Sequence, residues 1–118
     1  MFEALKGIKI LDVTSVVVGP VATWRLSQYG AEVIKIEHPT GDLMRGLGGK
    51  SPSGQHSGTY LHLNRGKRNI CLDLKKEGAL EVMNRLIESA DVIVANRMSP
   101  EILDVNERVF SRDLFGLD

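Results

Sequence analysis

Directly after the apolar run Ile8-Lys9-Ile10-Leu11-Asp12-Val13, the chain reads Thr14-Ser15-Val16-Val17-Val18-Gly19-Pro20. A strand that feeds a glycine-proline turn and then a helix leaves backbone N–H groups unpaired at the helix start, where the helix dipole also favours negative charge. Such a turn can hold a phosphate or a thioester oxygen; it can equally be a plain strand-to-helix connection with a glycine at the bend. A single glycine is not the G-x-G-x-x-G pattern of dinucleotide sites. Glu37 closes a second apolar run roughly 20 residues further on, where it could accept ribose hydroxyls or sit in a salt bridge. Arg65, Lys67, Arg68 and Lys75 form the one dense basic cluster. Charge-assisted hydrogen bonds from these side chains suit a pyrophosphate or a ribose phosphate, whereas a charge run alone is commonly a solvated turn.

Other chemistry-bearing residues point less clearly. Gly48-Gly49-Lys50-Ser51 suggests a phosphate-binding P-loop, but the first glycine of G-x-x-x-x-G-K-[ST] would fall on Met44, and no strand precedes it. Asp12, Asp42, Asp73 and Asp91 are each plausible nucleophiles in isolation, which means that none is singled out. Cys71 alternates with Ile70 and Leu72 and has no histidine partner, so packing explains it better than nucleophilic chemistry. His56 and His62 are not at metal-ligand spacing.

The elements that position these residues follow from periodicity. Residues 8–13 read as a buried parallel strand, being an apolar run rather than an alternating one, with residues 32–37 as the second strand and 91–95 as a third parallel one. Pro20 begins a helix and Gly30 ends it; Ala22, Leu26 and Tyr29 fall at helical spacing, with Arg25 and Gln28 toward water. Residues 76–89 form a second helix with Ala79, Leu80, Val82, Met83, Leu86, Ile87 and Ala90 on one face. Residues 38–58 lose periodicity and hold six of the twelve glycines, the mark of a functional or mobile loop. Residues 59–63 and 69–74 read as short extended segments on either side of a turn, and Ser99-Pro100-Glu101 as a helix start. Val109, Phe110, Leu114, Phe115 and Leu117 have no evident partner strand.

The chain has 118 residues, enough for one core. Fifteen basic residues balance fifteen acidic ones, so no global field favours nucleic acid or an anionic membrane, and any anion site must be local. One cysteine excludes an internal disulfide and a multi-cysteine metal site. The start lacks a signal-peptide pattern and no stretch reaches the ~20 apolar residues of a membrane span. These features point to a cytoplasmic protein with neither nucleic acid nor membrane as partner.

Several phrases recur in order: Gly7-Ile8-Lys9-Ile10-Leu11-Asp12, Gly19-Pro20, Gly30-Ala31-Glu32-Val33-Ile34-Lys35-Ile36-Glu37, Gly41-Asp42 with Arg45, Asn64-Arg65-Gly66-Lys67-Arg68 and Leu72-Asp73-Leu74-Lys75. From about residue 5 to about residue 104 the chain resembles the amino-terminal part of the class III coenzyme A transferases, the CaiB/BaiF type, formyl-CoA transferases above all. That group also includes carnitine CoA-transferases and α-methylacyl-CoA racemases. The resemblance implies an α/β fold, the amino-terminal part of a doubly wound, Rossmann-like parallel-sheet domain. It divides the chain into residues 1–105, belonging to that domain, and a divergent tail at 106–118 of the kind a truncated reading frame would leave.

The resemblance also assigns residues. Val16, Val17 and Val18 stand where the family wraps the pantetheine and thioester end of coenzyme A; some members have a polar side chain at the middle position, a contact that Val17 lacks. His38 takes the place of an arginine that often meets the nucleotide part, and lacks its bidentate fork. Leu72 and Lys75 match positions that line the adenine and phosphate pocket. Asn96 matches another contact, and Arg97 replaces a frequent aromatic residue. A further arginine contact, due near Asp104 or Val105, is missing.

In the transferases an aspartate attacks an acyl thioester to give an anhydride, and enzyme-bound thioester chemistry follows. That aspartate, and the histidine and aspartate of the racemases, fall past the last residue here, so no acid in this chain inherits a catalytic role. The implied function is transfer of coenzyme A between carboxylic acids through an enzyme-bound acyl intermediate. Acyl-CoA and a carboxylic acid are then the partners, coenzyme A being a substrate and no cofactor being tightly bound. Full-length relatives are homodimers. The present chain would carry part of the pocket and be inactive alone. Open alternatives are a non-catalytic coenzyme A or nucleotide-binding module, a racemase-type fragment, and a small dinucleotide-dependent oxidoreductase domain.

Overall fold

The computed structural model describes residues 3–49, 51–96 and 108–111; Arg97, the Ser99-Pro100-Glu101 helix start and most of the 106–118 tail lie outside them. The described elements are β1 (Lys9–Val13), α1 (Val18–Gln28), β2 (Glu32–Glu37), a 3-10 turn (Leu43–Gly46), α2 (Gly58–Asn64), β3 (Arg68–Cys71), α3 (Ala79–Ser89), β4 (Val92–Ala95) and β5 (Val109–Ser111). The strands form one sheet in the order β3-β2-β1-β4-β5, and every pairing is parallel.

The three apolar runs become the centre of that sheet. Leu11 pairs with Ile34 on one side and with Ile93 on the other. Successive strand residues face opposite sides. Leu11, Ile34 and Ile93 therefore pack with Met83, Ile87 and Ala90 of the α3 region on one face. Ile10 and Val33 pack with Ala31 and with Leu26 of α1 on the other. Two apolar layers thus enclose β1, which explains why its sequence does not alternate.

The helices differ in detail from the sequence expectation. Helix α1 starts two residues ahead of Pro20, which still lies in the first turn, where its missing N–H is tolerated. Gly30, at φ +100°, takes the left-handed conformation that ends it. Its buried residues are Pro20 and Thr23, whereas Ala22 and Tyr29 are exposed. Of the expected Ala22-Leu26-Tyr29 face, Leu26 packs inward while Ala22 and Tyr29 do not, and Thr23 turns inward to hydrogen-bond Asp12 of β1. Helix α3 begins three residues later than expected, after Gly78 at φ +84°, and buries Ala79, Met83 and Ile87 while Leu80 and Val82 face outward.

Two segments take another form altogether. Residues 59–63 lie in helix α2, not in an extended segment. Ser57 is its cap: the Ser57 hydroxyl accepts the Tyr60 amide proton at 2.9 Å and is fully buried, and Tyr60, Leu63 and Asn64 turn inward one helical turn apart. Val109–Ser111, for which the sequence offered no partner strand, pairs with Ile93–Ala95 as the fifth strand. Among the described residues, no helix is long and apolar enough to cross a membrane.

Candidate functional site

Because all five strands run the same way, the segments leaving β1, β2, β3 and β4 emerge at one edge of the sheet, where ligands bind in open α/β sheets. Those segments begin with Thr14, His38, Leu72 and Asn96. The crevice lies between β1 and β4, where the strand order reverses.

The turn from β1 to α1 is the most unusual backbone in the molecule. Val16 has φ +75°, the one non-glycine residue with positive φ among those described. For a β-branched residue this conformation costs roughly 1–3 kcal/mol and persists only where the surroundings over-determine it. They do so here. The Thr14 amide and hydroxyl both donate to Asp12 Oδ1, at 2.9 and 2.5 Å. The Val16 amide donates to the Asp42 carboxylate at 3.1 and 3.3 Å. A side chain at Gly19 would overlap that of Thr14, which is why the helix can approach the strand end so closely.

Val16, Val17 and Val18 are consequently pushed outward, Val18 being 68 % exposed. No side chain caps the first amides of α1. Asn96 reaches over from the end of β4, its Nδ2 donating to Ser15 Oγ at 3.2 Å. Ser15, Val16, Val17, Val18, Gly19 and Asn96 together line a cavity of about 220 Å³ with no acid in its wall. The apolar side chains offer contact area to a thin flexible chain, and the open amides offer donors to a carbonyl or anionic oxygen.

The remaining site residues group around the end of β2. His38 is exposed, its Nδ1 3.0 Å from Thr40 Oγ1 and its Nε2 3.9 Å from Asp73 Oδ1. The Leu72 amide donates to the Glu37 carbonyl at 2.8 Å, carrying the chain past β2, and the exposed Lys75 follows. A second cavity of about 220 Å³, lined in part by Ser15, His38 and Asp42, lies on the same edge as the first. The structure therefore brings Val16, Val17, Val18 and Asn96 into one crevice, and at the end of β2 it sets His38 beside Asp73, whose carboxylate also accepts the Lys75 amide, while Leu72 packs against the core.

Beneath the crevice lies a buried polar layer that sequence reasoning missed. Lys35, on β2, is 1 % exposed; its Nζ donates to Asp42 Oδ2 at 3.0 Å and to the Thr14 carbonyl at 2.9 Å. Lys67 is equally buried and donates to Asp12 Oδ2, the Pro20 carbonyl and Asn64 Oδ1. Burial pushes its ammonium pKa down, with Asp12 acting against that. Glu37 accepts from Arg45 Nε and Nη2, the Asp42 amide, Asn69 Nδ2 and the Tyr60 hydroxyl. Burial alone would raise the Glu37 carboxyl, but these donors outweigh it and hold it at about 2. Burial, followed by the bond to Glu37, pushes the Tyr60 phenol above its ordinary range.

This layer changes the reading of Glu37 and Lys67. Glu37 has no oxygen left for a ribose hydroxyl, which removes the acid that a dinucleotide oxidoreductase would use. Lys67 is not a solvated turn residue, its ammonium being buried against Asp12. The basic cluster separates in space: Arg68 pairs with Glu32 at 2.9 Å, Arg65 lies over the Trp24 ring, and Lys75 is exposed, its amide donating to Asp73 Oδ1. A larger cavity of about 580 Å³ is walled by Lys35, Arg45, Asn64, Lys67 and others, but three of its cations are already engaged by Asp42, Glu37 and Asp12.

The comparisons with known proteins agree on one group. The model of CoA-transferase family III matches residues 5–104. A formyl-CoA:oxalate CoA-transferase of Afipia carboxidovorans is 45% identical over 105 residues, covering 88% of this chain and 24% of that protein. One from Streptomyces avermitilis is 39% identical, covering 98% and 31%. Among solved structures, a CAIB/BAIF family protein from Brucella suis superposes with a TM-score of 0.73 at 36% identity, over 81% of this chain and 26% of that one. A hypothetical protein from Mycobacterium tuberculosis gives 0.71 at 35%, over 87% and 28%. The chain thus spans about a quarter to a third of the length of the curated relatives it matches.

Proposed function

The chain belongs to CoA-transferase family III, and from that membership we propose that its crevice binds an acyl-CoA for transfer of coenzyme A between carboxylic acids. Val16, Val17 and Val18, with Asn96, would hold the pantetheine and thioester end. His38, Leu72 and Lys75 would meet the nucleotide part, Lys75 as a point charge toward phosphate. Arg97 is assigned to the same pocket on the resemblance alone. The observation that carries the reading is the left-handed Val16, whose strained turn exposes three valines and the start of α1 at the switch point of the sheet.

Binding without turnover is the activity we assign to this chain on its own. In family chemistry a carboxylate must attack the thioester carbonyl, expelling the coenzyme A thiolate and leaving a mixed anhydride. Among the described residues, the carboxylates buried under the crevice are engaged: Asp12 by Thr14, Thr23 and Lys67, Asp42 by Lys35, Val16 and Met44, and Glu37 by five donors. Coenzyme A enters as a substrate, with no resident cofactor. A homodimer in the cytoplasm completes the proposal, the first by likeness to the family and the second from composition.

Calorimetric titration with coenzyme A, beside NAD as control, tests this. Saturable binding of coenzyme A but not NAD, weakened by Asn96→Ala and by Lys75→Ala, is the expected result. A folded chain that takes up neither ligand, or variants that bind as the parent does, would overturn it.

A further inference from the structure

We infer that Lys35 and Asp42 act as a positioning pair for the crevice, holding the Thr14–Val16 turn in the strained conformation that presents Val16, Val17 and Val18 to the ligand. This inference rests on the acyl-CoA reading of that crevice.

The two side chains close on the turn from both ends. Lys35 Nζ donates to the carbonyl of Thr14, and the Asp42 carboxylate accepts the amide of Val16, so the pair spans the Ser15 peptide units. Lys35 and Asp42 are joined to each other at 3.0 Å, each with a side chain 1 % exposed. Neither side chain has water to turn to, so neither can let go of the turn without leaving a buried charge or donor unsatisfied. Asp42 is itself fixed, because its amide donates to Glu37 Oε2 at 2.8 Å and its carboxylate also accepts from Met44.

The strain at Val16 gives these contacts a purpose. A valine left to itself avoids positive φ, so the turn would relax to an extended path if the carboxylate were withdrawn. Relaxation would rotate the Val16 peptide and carry Val17 and Val18 with it, and the cavity they line would change shape. A ligand would then have to reorder the turn on binding, and its apparent affinity would fall by the fraction of chains that keep the competent form.

Two readouts test this together. In 15N-valine-labelled protein, a left-handed Val16 gives a strong intraresidue HN–Hα NOE, which reports the turn without any ligand. Coenzyme A titration then reports its consequence. Asp42→Asn should weaken the NOE and lower coenzyme A affinity at least tenfold, whereas in a Val16→Gly background, where left-handed φ carries no penalty, the same change should cost less than threefold. Equal losses in the two backgrounds would mean that Asp42 serves only general stability and would overturn the inference. An unchanged Val16 NOE in Asp42→Asn would also overturn it. Should Asp42→Asn not fold, the Lys35→Met/Asp42→Asn double variant, which leaves no unpaired buried charge, is measured in its place against the same criteria. Absence of coenzyme A binding by the unmodified chain would sink the acyl-CoA reading, while the NOE would still decide whether the pair holds the turn.

Discussion

Lys67 Nζ lies 2.9 Å from Asp12 Oδ2, a contact between residues 55 positions apart that ties the end of α2 to the central strand. Both side chains are almost wholly buried. Their neighbour in sequence, Arg68, makes an ion pair at the same 2.9 Å distance with Glu32, but its side chain is 74% exposed. Distance alone does not separate these two pairs; burial does.

Lys67→Ala should therefore destabilise the fold by about 3–5 kcal/mol, because it strands a buried carboxylate. Arg68→Ala should change stability by less than ~1 kcal/mol, since water replaces the lost partner. Urea midpoints of the two variants decide the matter; similar losses would contradict this account.

Glu37 should make the fold sensitive to acid. Its carboxyl is held at about 2 against an ordinary 4.5, so the unfolded chain binds more protons in that interval. Its stabilising contribution is complete above the ordinary value and is lost as pH falls toward the folded one. Urea midpoints should fall between about pH 5 and about pH 3 in the parent chain. Glu37→Gln should start lower at neutral pH and fall less steeply. Parallel curves would argue that Glu37 is not the group responsible.

Gly19→Ala should destabilise the protein by about 1–3 kcal/mol. At an open helical position the same change would stabilise by up to about 1 kcal/mol, so the sign of the effect tests the close approach to Thr14. Thermal unfolding gives that sign directly.

His38→Arg should tighten coenzyme A binding by roughly 3- to 10-fold, because arginine brings a permanent charge and a bidentate fork to an exposed position at the end of β2. The gain should shrink at high salt, as expected for a charge-assisted contact. An unchanged affinity would place position 38 outside the ligand's reach.

The strands at the centre of the sheet were legible because burial on both faces keeps them largely apolar: Val92–Ala95 is an uninterrupted run, and Ile8–Val13 is broken only by Lys9 and Asp12. Helix α2 was not. Its seven residues are too few for periodicity to register, and Leu61, 47% exposed, mimics an inward position. The useful signal was Ser57, three residues ahead of Tyr60, as a cap. Strand β5 is three residues long, and only its pairing with β4 reveals it.

Within the site, Val16–Val18 and Asn96 were marked by resemblance, and the strain that distinguishes Val16 has no sequence signature at all. The buried pair had one. Lys35 interrupts Val33-Ile34-Lys35-Ile36, and a lysine that such a strand buries must find a carboxylate. Asp42 lies seven residues on. Lys67 was harder, because charge density around Arg65 and Arg68 disguised a residue that points the other way.

The place of β1 at the middle of the sheet has a consequence for the chain during its synthesis. Strand β1 meets β2 soon after both emerge, but its other edge waits for β4, and Lys9 and Asp91, which bond across that edge, lie 82 positions apart. At 5–20 residues per second the ribosome needs roughly 4–16 s to cover that distance. Throughout that interval the edge that will meet β4 is an open strand template bearing Ile10 and Leu11, the kind of surface that recruits other chains. The growing polypeptide is thus most vulnerable to aggregation at the strand that ends up in the middle of the sheet.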